Sequence, residues 1–284
     1  MSSLNLDELI RQVGGLASLP AIVTRLNAML ADENTSTAEI AKMVSQDPGL
    51  SMRLLKVANS PFYGLSTHVD TVSRAITVIG REPFHELLLA TAVTRAFHGI
   101  PEELITMEDF WRHSVYCAVA ARLMAEKVLP ARSESIFVAG LLHDIGRLVI
   151  FKRLPEKAHE AYLLGLAQGG GMEPQAAERA VMGFDHAQVG GALAQEWCLP
   201  QSLQECIRCH HEPRAADAFQ VEAAIVHIAN TVAHMAQLDT RDLRDAPPID
   251  PLAWERTGLT EDMVGELVEA AEQQVVEAES ILLG

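Results

Sequence analysis

Six residues spread over the middle of the chain have side chains that bind metals in proteins. They are His113, the adjacent pair His143-Asp144, His186 and the adjacent pair His210-His211. Neutral imidazole and carboxylate groups are both ligands of first-row divalent metals, and several helix ends can bring them to one cation. Spacing alone does not show that these residues converge. The alternative is that they are hydrogen-bonded in the core, or lie on the surface, without a metal.

The elements that must position these residues are predicted to be helices. Apolar residues recur at helical spacing nearly everywhere, and no stretch shows the sustained alternation of a strand, which indicates an all-α protein. The helices that carry or flank the candidate ligands are predicted over about 107–127 (with Thr106 as cap), 133–142 (with Ser133 as cap), 185–197 and 200–210. Further helices are predicted over about 19–30, 71–79, 83–97, 155–168, 174–182 and 220–237. The two clearest loops are 169–171 and 241–251.

Local signals mark where other helices begin and end. Ser36 and Glu39 have the pattern of a capping box, and Asp47-Pro48 ends the helix that this box opens and starts the next one. The run Asn59–Gly64 is typical of a loop, and we favour a structural role, capping of the preceding helix, over a surface for partners. The last predicted helix, about 260–283, carries an apolar stripe that we expect to pack on its own domain rather than on a partner helix.

The composition excludes several classes of protein. Of 284 residues, 49% are hydrophobic, which is enough to bury a core and excludes a disordered chain. The formal net charge of −16 repels phosphate backbones, so nucleic acid is not an expected partner. No apolar run reaches the roughly 18–20 residues of a membrane span, and the chain does not start like a secretory signal. Four cysteines do not form a disulfide framework in a chain of this length, so we expect a cytoplasmic protein.

The segment Cys206-Ile-Arg-Cys209-His210 matches the haem-attachment pattern C-x-x-C-H. Covalent attachment of haem normally requires export, and the sequence shows no export signal, so we expect no haem. A structural zinc site would need more ligands, because no second C-x-x-C is present. We therefore predict that both cysteines are small buried apolar residues.

The first half of the chain contains a series of ordered motifs: Leu19-Pro20, Ile40–Ser45, Gln46-Asp-Pro-Gly-Leu50, Leu54-Leu-Lys-Val-Ala-Asn-Ser60 and Ala75-Ile-Thr-Val-Ile-Gly80. In these motifs it resembles the HDOD domain of bacterial signalling proteins. The match is long and ordered, and it extends to about residue 235. It implies a helical bundle in two lobes, similar to the HD phosphohydrolase superfamily. The implied parts are an N-terminal lobe at 1–100, an HD-like lobe at 101–237 and an acidic helical extension at 238–284.

The second half resembles the HD superfamily at its metal-ligand positions. His113, His143 and Asp144 match the ligands of that superfamily, and His186, His210 and His211 are similar to additional histidines of its HD-GYP branch, whose members hydrolyse cyclic di-GMP. The resemblance implies a divalent metal, with iron, manganese, magnesium and zinc as alternatives.

Three departures from the HD pattern bear on catalysis. Asn230 stands where a later aspartate is expected, and its neutral amide should bind a hard cation more weakly than a carboxylate. Arg147 replaces a frequent lysine, and its guanidinium is a poor substitute for an ammonium in proton transfer. No Gly-Tyr-Pro segment follows the His210-His211 pair. No catalytic residue is therefore assigned.

The resemblance implies a regulatory or output module of signal transduction that works through protein contacts and has a divalent metal at a vestigial HD site. Its partners would be signalling proteins, such as a receiver domain or kinase of a two-component system. One alternative is a metal-dependent phosphohydrolase acting on a nucleotide or cyclic dinucleotide. Another is a sensor that binds a nucleotide without cleaving it. The formation of a homodimer is a further possibility that the sequence leaves open.

The negative charge is concentrated at the end of the chain. The last 46 residues contain 12 acidic and 3 basic residues. A solvated helix face is one explanation, and a docking surface for a basic partner is the other. Under the second hypothesis, deletion of the residues after Leu238 should abolish partner binding.

Overall fold

The computed structural model describes residues 5–13, 21–32, 34–59, 68–97, 100, 104–167 and 172–282. Every regular element within these ranges is helical, so the predicted all-α fold is confirmed. In chain order the α-helices are α1 (Leu6–Val13), α2 (Ala21–Ala31), α3 (Thr37–Val44), α4 (Pro48–Ala58), α5 (Val72–Ile79), α6 (Arg81–Ala96), α7 (Met107–Val128), α8 (Ser133–Leu142), α9 (Ile145–Arg153), α10 (Pro155–Ala167), α11 (Pro174–Met182), α12 (His186–Glu196), α13 (Gln201–Cys209), α14 (Gln220–Gln237), α15 (Pro251–Thr257) and α16 (Glu261–Leu282). None of these helices is long and apolar enough to cross a membrane.

Contacts divide the chain into two compact units. The larger contains Met1–Leu16 and Gly99–Glu272, and the smaller contains Ala17–His98 and Gln273–Gly284. The lobes and extension predicted from the sequence, at 1–100, 101–237 and 238–284, are a different division and stay a prediction.

In the smaller unit, helices begin where the capping signals predict. The Ser36 hydroxyl accepts a hydrogen bond from the backbone N–H of Glu39, and the Glu39 carboxylate accepts one from the N–H of Ser36, which completes the capping box of α3. Asp47 caps α4 by accepting from the N–H of Leu50, with Pro48 in the first turn. Short-range chemistry therefore determines both helix starts.

Asn59 anchors the end of α4, in the structural role predicted for it. Its amide nitrogen donates to the carbonyls of Leu55 at 2.8 Å and Val69 at 2.6 Å, and its amide oxygen accepts from the N–H of Val69 at 2.6 Å. The side chain thus ties the last turn of α4 to the backbone of Val69. The rest of the predicted loop, residues 60–64, lies outside the described residues.

Two close helix approaches build the core of the larger unit. At Gly140, α8 lies so near α7 that an added Cβ would be 2.8 Å from the Cα of Ala118. At Gly146, α9 lies so near α12 that an added Cβ would be 1.9 Å from the carbonyl oxygen of His186. Both positions require glycine, because a side chain would push these helices apart. The two glycines flank the His143-Asp144 pair and so fix where it lies.

Three helices and one cap differ from the sequence prediction. The predicted set lacks α1, α9 and α15, which have only eight, nine and seven residues. Helices this short are marginal alone and form because tertiary contacts stabilise them. Ser133 is the first residue of α8 and does not cap it. The apolar stripe of α16 is buried within the chain, as expected, at Leu267, Ala271, Val275 and Ala278.

Candidate metal centre

Two groups of metal-ligating side chains meet at Asp144 in the described part of the chain. The first group is His113, His143 and Asp144, and the second is Asp144, His186, His210 and His211. Within each group, one ligand atom per residue lies within 4.8 Å of the others. The structure therefore brings together all six candidate ligands, with Asp144 shared between the groups. Metal binding itself stays a prediction.

All but one of these side chains come from helix ends. His113 lies in the interior of α7. The pair His143-Asp144 forms the junction between α8 and α9, His186 is the first residue of α12, and the pair His210-His211 follows the end of α13. Four segments far apart in sequence thus converge because their helices pack on one another in the larger unit.

The rings of His143 and His210 are fixed in the same way. The Nδ1–H of His143 donates to the carbonyl of Gly140 at 2.7 Å, and the Nδ1–H of His210 donates to the carbonyl of Ile207 at 2.8 Å. Carbonyls only accept, so each neutral ring presents the lone pair of Nε2 to the centre. Both Nε2 atoms are buried without a hydrogen-bond partner, 3.7 and 3.6 Å from the carboxylate of Asp144. Backbone-fixed histidines with free inward lone pairs fit a divalent metal.

His186 and His211 form a second, closer arrangement, which we call the outer pair. Their Nε2 atoms are 2.8 Å apart, and Nε2 of His186 is 3.2 Å from Asp144 Oδ1. On its other side, Nδ1 of His186 contacts the carboxylate of Glu178 at 2.6 Å. A carboxylate behind a histidine is the usual second layer of a metal site, because it fixes the ring and makes it a better donor.

Asp144 is ionised at the middle of the cluster. Burial raises its pKa, but His143, Arg147 and His186 more than offset this and hold the pKa well below its ordinary value. The Arg147 guanidinium lies 3.1 Å from Asp144 Oδ2. A buried carboxylate kept negative by a guanidinium and a protonated imidazole is a suitable central ligand for a divalent ion.

The pKa of His186 is shifted in the opposite direction to the pKa values of His113, His210 and His211. Burial lowers the pKa values of His113, His210 and His211 well below the ordinary value, so these rings are neutral near pH 7. Burial also lowers the pKa of His186, but Glu178 and Asp144 outweigh it and raise the pKa to about 10. His186 is therefore protonated near pH 7, with Nδ1 beside Glu178 and Nε2 beside both Asp144 and His211. A cation bound at Nε2 would displace the proton of that nitrogen.

Asn230 and His234 lie one helical turn apart on α14, beside His113. The amide oxygen of Asn230 is 3.0 Å from Nε2 of His113, and the ring of His234 is centred 4.6 Å from that of His113. Asn230 thus reaches the cluster, in the place where the HD resemblance expects an aspartate. Burial is the main cause that lowers the pKa of His234, to about 4, so it is a neutral neighbour of the centre.

A cavity of about 540 Å³ opens onto the cluster within the larger unit. The cluster residues that line it are Asp144, Arg147, His186, His211, Asn230 and His234. A ligand in this cavity would therefore contact both the ligating side chains and the guanidinium of Arg147.

A family model of the HDOD domain matches residues 16–213. The chain belongs to the HDOD family. The predicted resemblance is thus confirmed.

Relatives of this HDOD protein are distant in sequence. It is 24% identical over 221 residues to an uncharacterised protein of Treponema pallidum (strain Nichols). The matched region covers 77% of this chain and 42% of the relative. The chain thus spans less than half the length of that curated relative.

Crystal structures of similar proteins show the same fold. A protein of Shewanella amazonensis SB2B, provisionally named a phosphohydrolase, is 24% identical with a TM-score of 0.74, covering 96% of this chain and 97% of that one. An HDOD domain protein of unknown function from Geobacter sulfurreducens is 24% identical with a TM-score of 0.69, over 97% and 96% of the two chains. A protein of Marinobacter aquaeolei VT8, provisionally named for signal transduction, is 18% identical with a TM-score of 0.72. That match covers 98% of this chain and 64% of the other.

Sequence reasoning missed two members of the HDOD protein's cluster, Glu178 and His234. His234 lies four residues after Asn230 on one helix face, and this spacing is the signal that could have identified it. Glu178 belongs to a different helix from His186, and no local pattern connects them.

The cysteines of the C-x-x-C-H segment do not join the cluster. Cys206 and Cys209 are buried, and neither belongs to a metal-ligating group among the described residues. Burial raises the pKa of Cys206 well above its ordinary value and that of Cys209 to about 11, so both are unreactive thiols. This agrees with the predicted packing role.

Proposed function

We propose that this HDOD protein is a regulatory module of bacterial signal transduction that carries a divalent metal at the Asp144 centre and acts through contacts with other proteins. The observation that carries the metal part is the pair of buried Nε2 atoms of His143 and His210, each without a partner and each aimed at an ionised carboxylate. Leaving such buried acceptors without partners costs on the order of 1–3 kcal/mol each. A cation at the centre would remove that cost.

The donor set narrows the choice of metal. Either ligand group, His113 and His143 with Asp144 or His210 and the outer pair with Asp144, would hold an ion mainly through imidazole. Imidazole-rich sites suit iron and zinc better than magnesium, which prefers oxygen ligands. When bound, the ion would supply positive charge to an anionic ligand in the cavity.

Regulation is favoured over catalysis by the residues beside the centre. Asn230 offers a neutral amide where a carboxylate would add charge, and its oxygen is already hydrogen-bonded to His113. Arg147 is paired with Asp144, and a guanidinium is a poor proton donor. Family membership supports the signalling role, since HDOD domains commonly serve as output or regulatory modules.

Elemental analysis of the purified protein tests the metal proposal. We expect at least one equivalent of divalent metal in the wild type, and its loss in His143→Ala and Asp144→Asn. His159→Ala is the matched control, because His159 is an exposed histidine on α10. A wild type that stays metal-free after incubation with iron or zinc, or variants that keep the metal, would contradict the proposal.

A metal-dependent phosphohydrolase is the second candidate, and the cavity beside Arg147 favours it. A guanidinium next to a metal centre can hold a phosphate group. The test is hydrolysis of a panel of nucleotides and cyclic dinucleotides with iron or manganese present. Turnover that disappears in Asp144→Asn would replace the regulatory proposal, whereas thermal stabilisation by a nucleotide without turnover would identify a sensor.

The proposed partners are a receiver domain or kinase, or a basic surface that docks on the acidic end of the chain. Deletion after Leu238 is a poor test, because it also removes the buried residues Ala253, Leu259 and Val264. Substitution of the exposed residues Glu261, Asp262 and Glu266 by lysine reverses their charge and leaves the buried core unchanged. We expect it to weaken co-purification of a receiver domain, and unchanged co-purification would remove the docking hypothesis. Sedimentation of the wild type tests the homodimer.

A further inference from the structure

Helix α11 places two adjacent residues, Glu178 and Arg179, behind the outer pair. Glu178 is buried, and one of its carboxylate oxygens accepts the backbone N–H of His186 at 2.8 Å while contacting Nδ1 of the same residue at 2.6 Å. Glu178 therefore fixes both the backbone and the ring of His186.

Arg179 contacts the two segments that carry the outer pair. Its Nε is 2.5 Å from the carboxylate of Asp185, the residue immediately before His186. Its Nη1 is 2.5 Å from the carboxylate of Glu212, the residue immediately after His211. One guanidinium thus bridges both segments.

The bridge matters because the two histidines belong to segments that are 25 residues apart. Asp185 is fully buried and caps α12, so that end is rigid. His211 lies beyond the end of α13 and is less buried than the other ligands. Arg179 ties this less constrained segment to the fixed one through its two carboxylate partners. A planar fork of donors can hold two carboxylates at once, which a single ammonium does less well.

We propose that Arg179 is a positioning residue that, together with Glu178, holds His186 and His211 as one preformed ligand pair for a metal ion. This inference rests on the proposed metal function and deepens it. Arg179 touches neither Nε2 atom and acts through Asp185 and Glu212.

Metal titration is the first test. We expect Arg179→Ala to bind Co²⁺ or Zn²⁺ about tenfold more weakly than the wild type, the lower end of what outer-layer residues of metal sites cost, and to change the visible absorption of the Co²⁺ form. Arg179→Lys should recover part of the affinity. Arg241→Ala is the matched control, because it breaks a comparable exposed ion pair, with Glu272, away from the centre. Equal affinity in Arg179→Ala and Arg241→Ala would overturn the proposal.

A double-mutant cycle separates positioning from a general loss of stability. If Arg179 acts through His211, Arg179→Ala should have no further effect on metal affinity in a His211→Ala background. Additive losses would contradict the proposal. Should Arg179→Ala fail to fold, Glu212→Ala takes its place in the cycle, because it releases the His211 segment and leaves the Asp185 cap intact.

A measurement on the metal-free protein keeps this inference separate from the proposed function. In histidine-labelled protein, the ring resonances of His186 and His211 should move in Arg179→Ala, while that of His113 should stay in place. This outcome would support the positioning role even if the wild type bound no metal. Unchanged resonances of the outer pair would overturn it.

Discussion

At the scale of single residues, the centre differs from an HD ligand set mainly at Asn230. Its amide oxygen lies 3.0 Å from His113 Nε2, so the residue occupies the position of a ligand without the charge of one. His113 itself comes from a helix interior, and its Nδ1 is buried without a partner. The first ligand group is the smaller of the two, because Asp144, which both groups share, is joined there by two histidines rather than three.

Asn230→Asp should tighten divalent-metal binding. The added carboxylate supplies charge to the first group, and ligand charge count is a main determinant of affinity, so we expect about a tenfold lower dissociation constant. Isothermal titration with Mn²⁺ measures it. Gln273→Glu adds the same charge at an exposed position on α16 that does not line the cavity, and it should leave the constant unchanged. Equal or weaker binding in Asn230→Asp would show that this position does not face the ion.

At the scale of elements, the approach of α9 to α12 holds the His143-Asp144 junction against His186. Gly146 makes the approach feasible, since an added Cβ would lie 1.9 Å from a backbone oxygen that cannot move independently. The glycine after the His-Asp pair is therefore a packing requirement of the candidate metal centre.

Gly146→Ala should destabilise the protein by about 1–3 kcal/mol, as overpacking of a core does, and should weaken metal binding with it. Urea unfolding followed by circular dichroism measures the stability. In Gly265→Ala the new methyl group meets nothing within 4 Å inside helix α16, so this control should be stabilised by about 0.4–1 kcal/mol. A neutral Gly146→Ala would mean that α9 can shift without cost.

Glu205 on α13 anchors the start of α14 and makes stability depend on pH. One of its oxygens accepts the backbone N–H groups of Asp217, Ala218 and Phe219 at 3.0, 3.0 and 3.1 Å. Burial raises its pKa, but these donors and Gln201 outweigh burial and lower it. A lowered carboxyl pKa stabilises the fold above the unfolded-state value, and that contribution is lost as the pH falls through the folded-state value.

Glu205→Gln should therefore lower the free energy of unfolding at pH 7 by about 2 kcal/mol, the scale of hydrogen bonds to a charged group. The loss should shrink as the pH falls below 4.5, the ordinary pKa of the group. Urea unfolding at a series of pH values measures both effects. Glu255→Gln, at an exposed position on α15, is the control. A loss that is independent of pH would show that charge on Glu205 contributes nothing.

At the scale of the whole molecule, every candidate ligand belongs to the larger unit, and the ligands come from helices throughout it. Metal binding should therefore stabilise the folded state against global unfolding of that unit. His227 links His210 of the centre to Asp250 at the start of α15. One ring nitrogen contacts the carbonyl of His210 at 2.7 Å, and the other accepts the N–H of Asp250 at 2.9 Å, which caps α15.

A metal at one hundred times its dissociation constant should raise the free energy of unfolding by about 2.7 kcal/mol, provided the unfolded chain does not bind it. Thermal unfolding with and without zinc measures the shift, and a chelator should reverse it. Asp144→Asn should show no shift under the same conditions. A shift of equal size in both proteins would indicate that the metal binds elsewhere.

Much of the local structure follows from the sequence by itself. Ser36 with Glu39, and Thr106 with Asp109, form caps from neighbours three residues apart, so the physics that places those helix starts is local. The six candidate ligands could also be selected, because imidazole and carboxylate groups have a recognisable metal-binding chemistry. Helix α9 could not be predicted, since no side-chain cap marks its start and its stability comes from burial against other helices.

What only the tertiary structure decided is which groups surround those ligands. Glu178 behind His186, Arg179 between Asp185 and Glu212, and His234 beside His113 depend on how helices distant in sequence pack, and sequence spacing carries no information about such contacts. The orientation of the rings was decided in the same way, by the backbone carbonyls that fix His143 and His210. The sequence by itself determined an all-helical protein with six candidate ligands. Packing turned them into one centre, because the free energy that holds histidines and a carboxylate together comes from the buried helices around them.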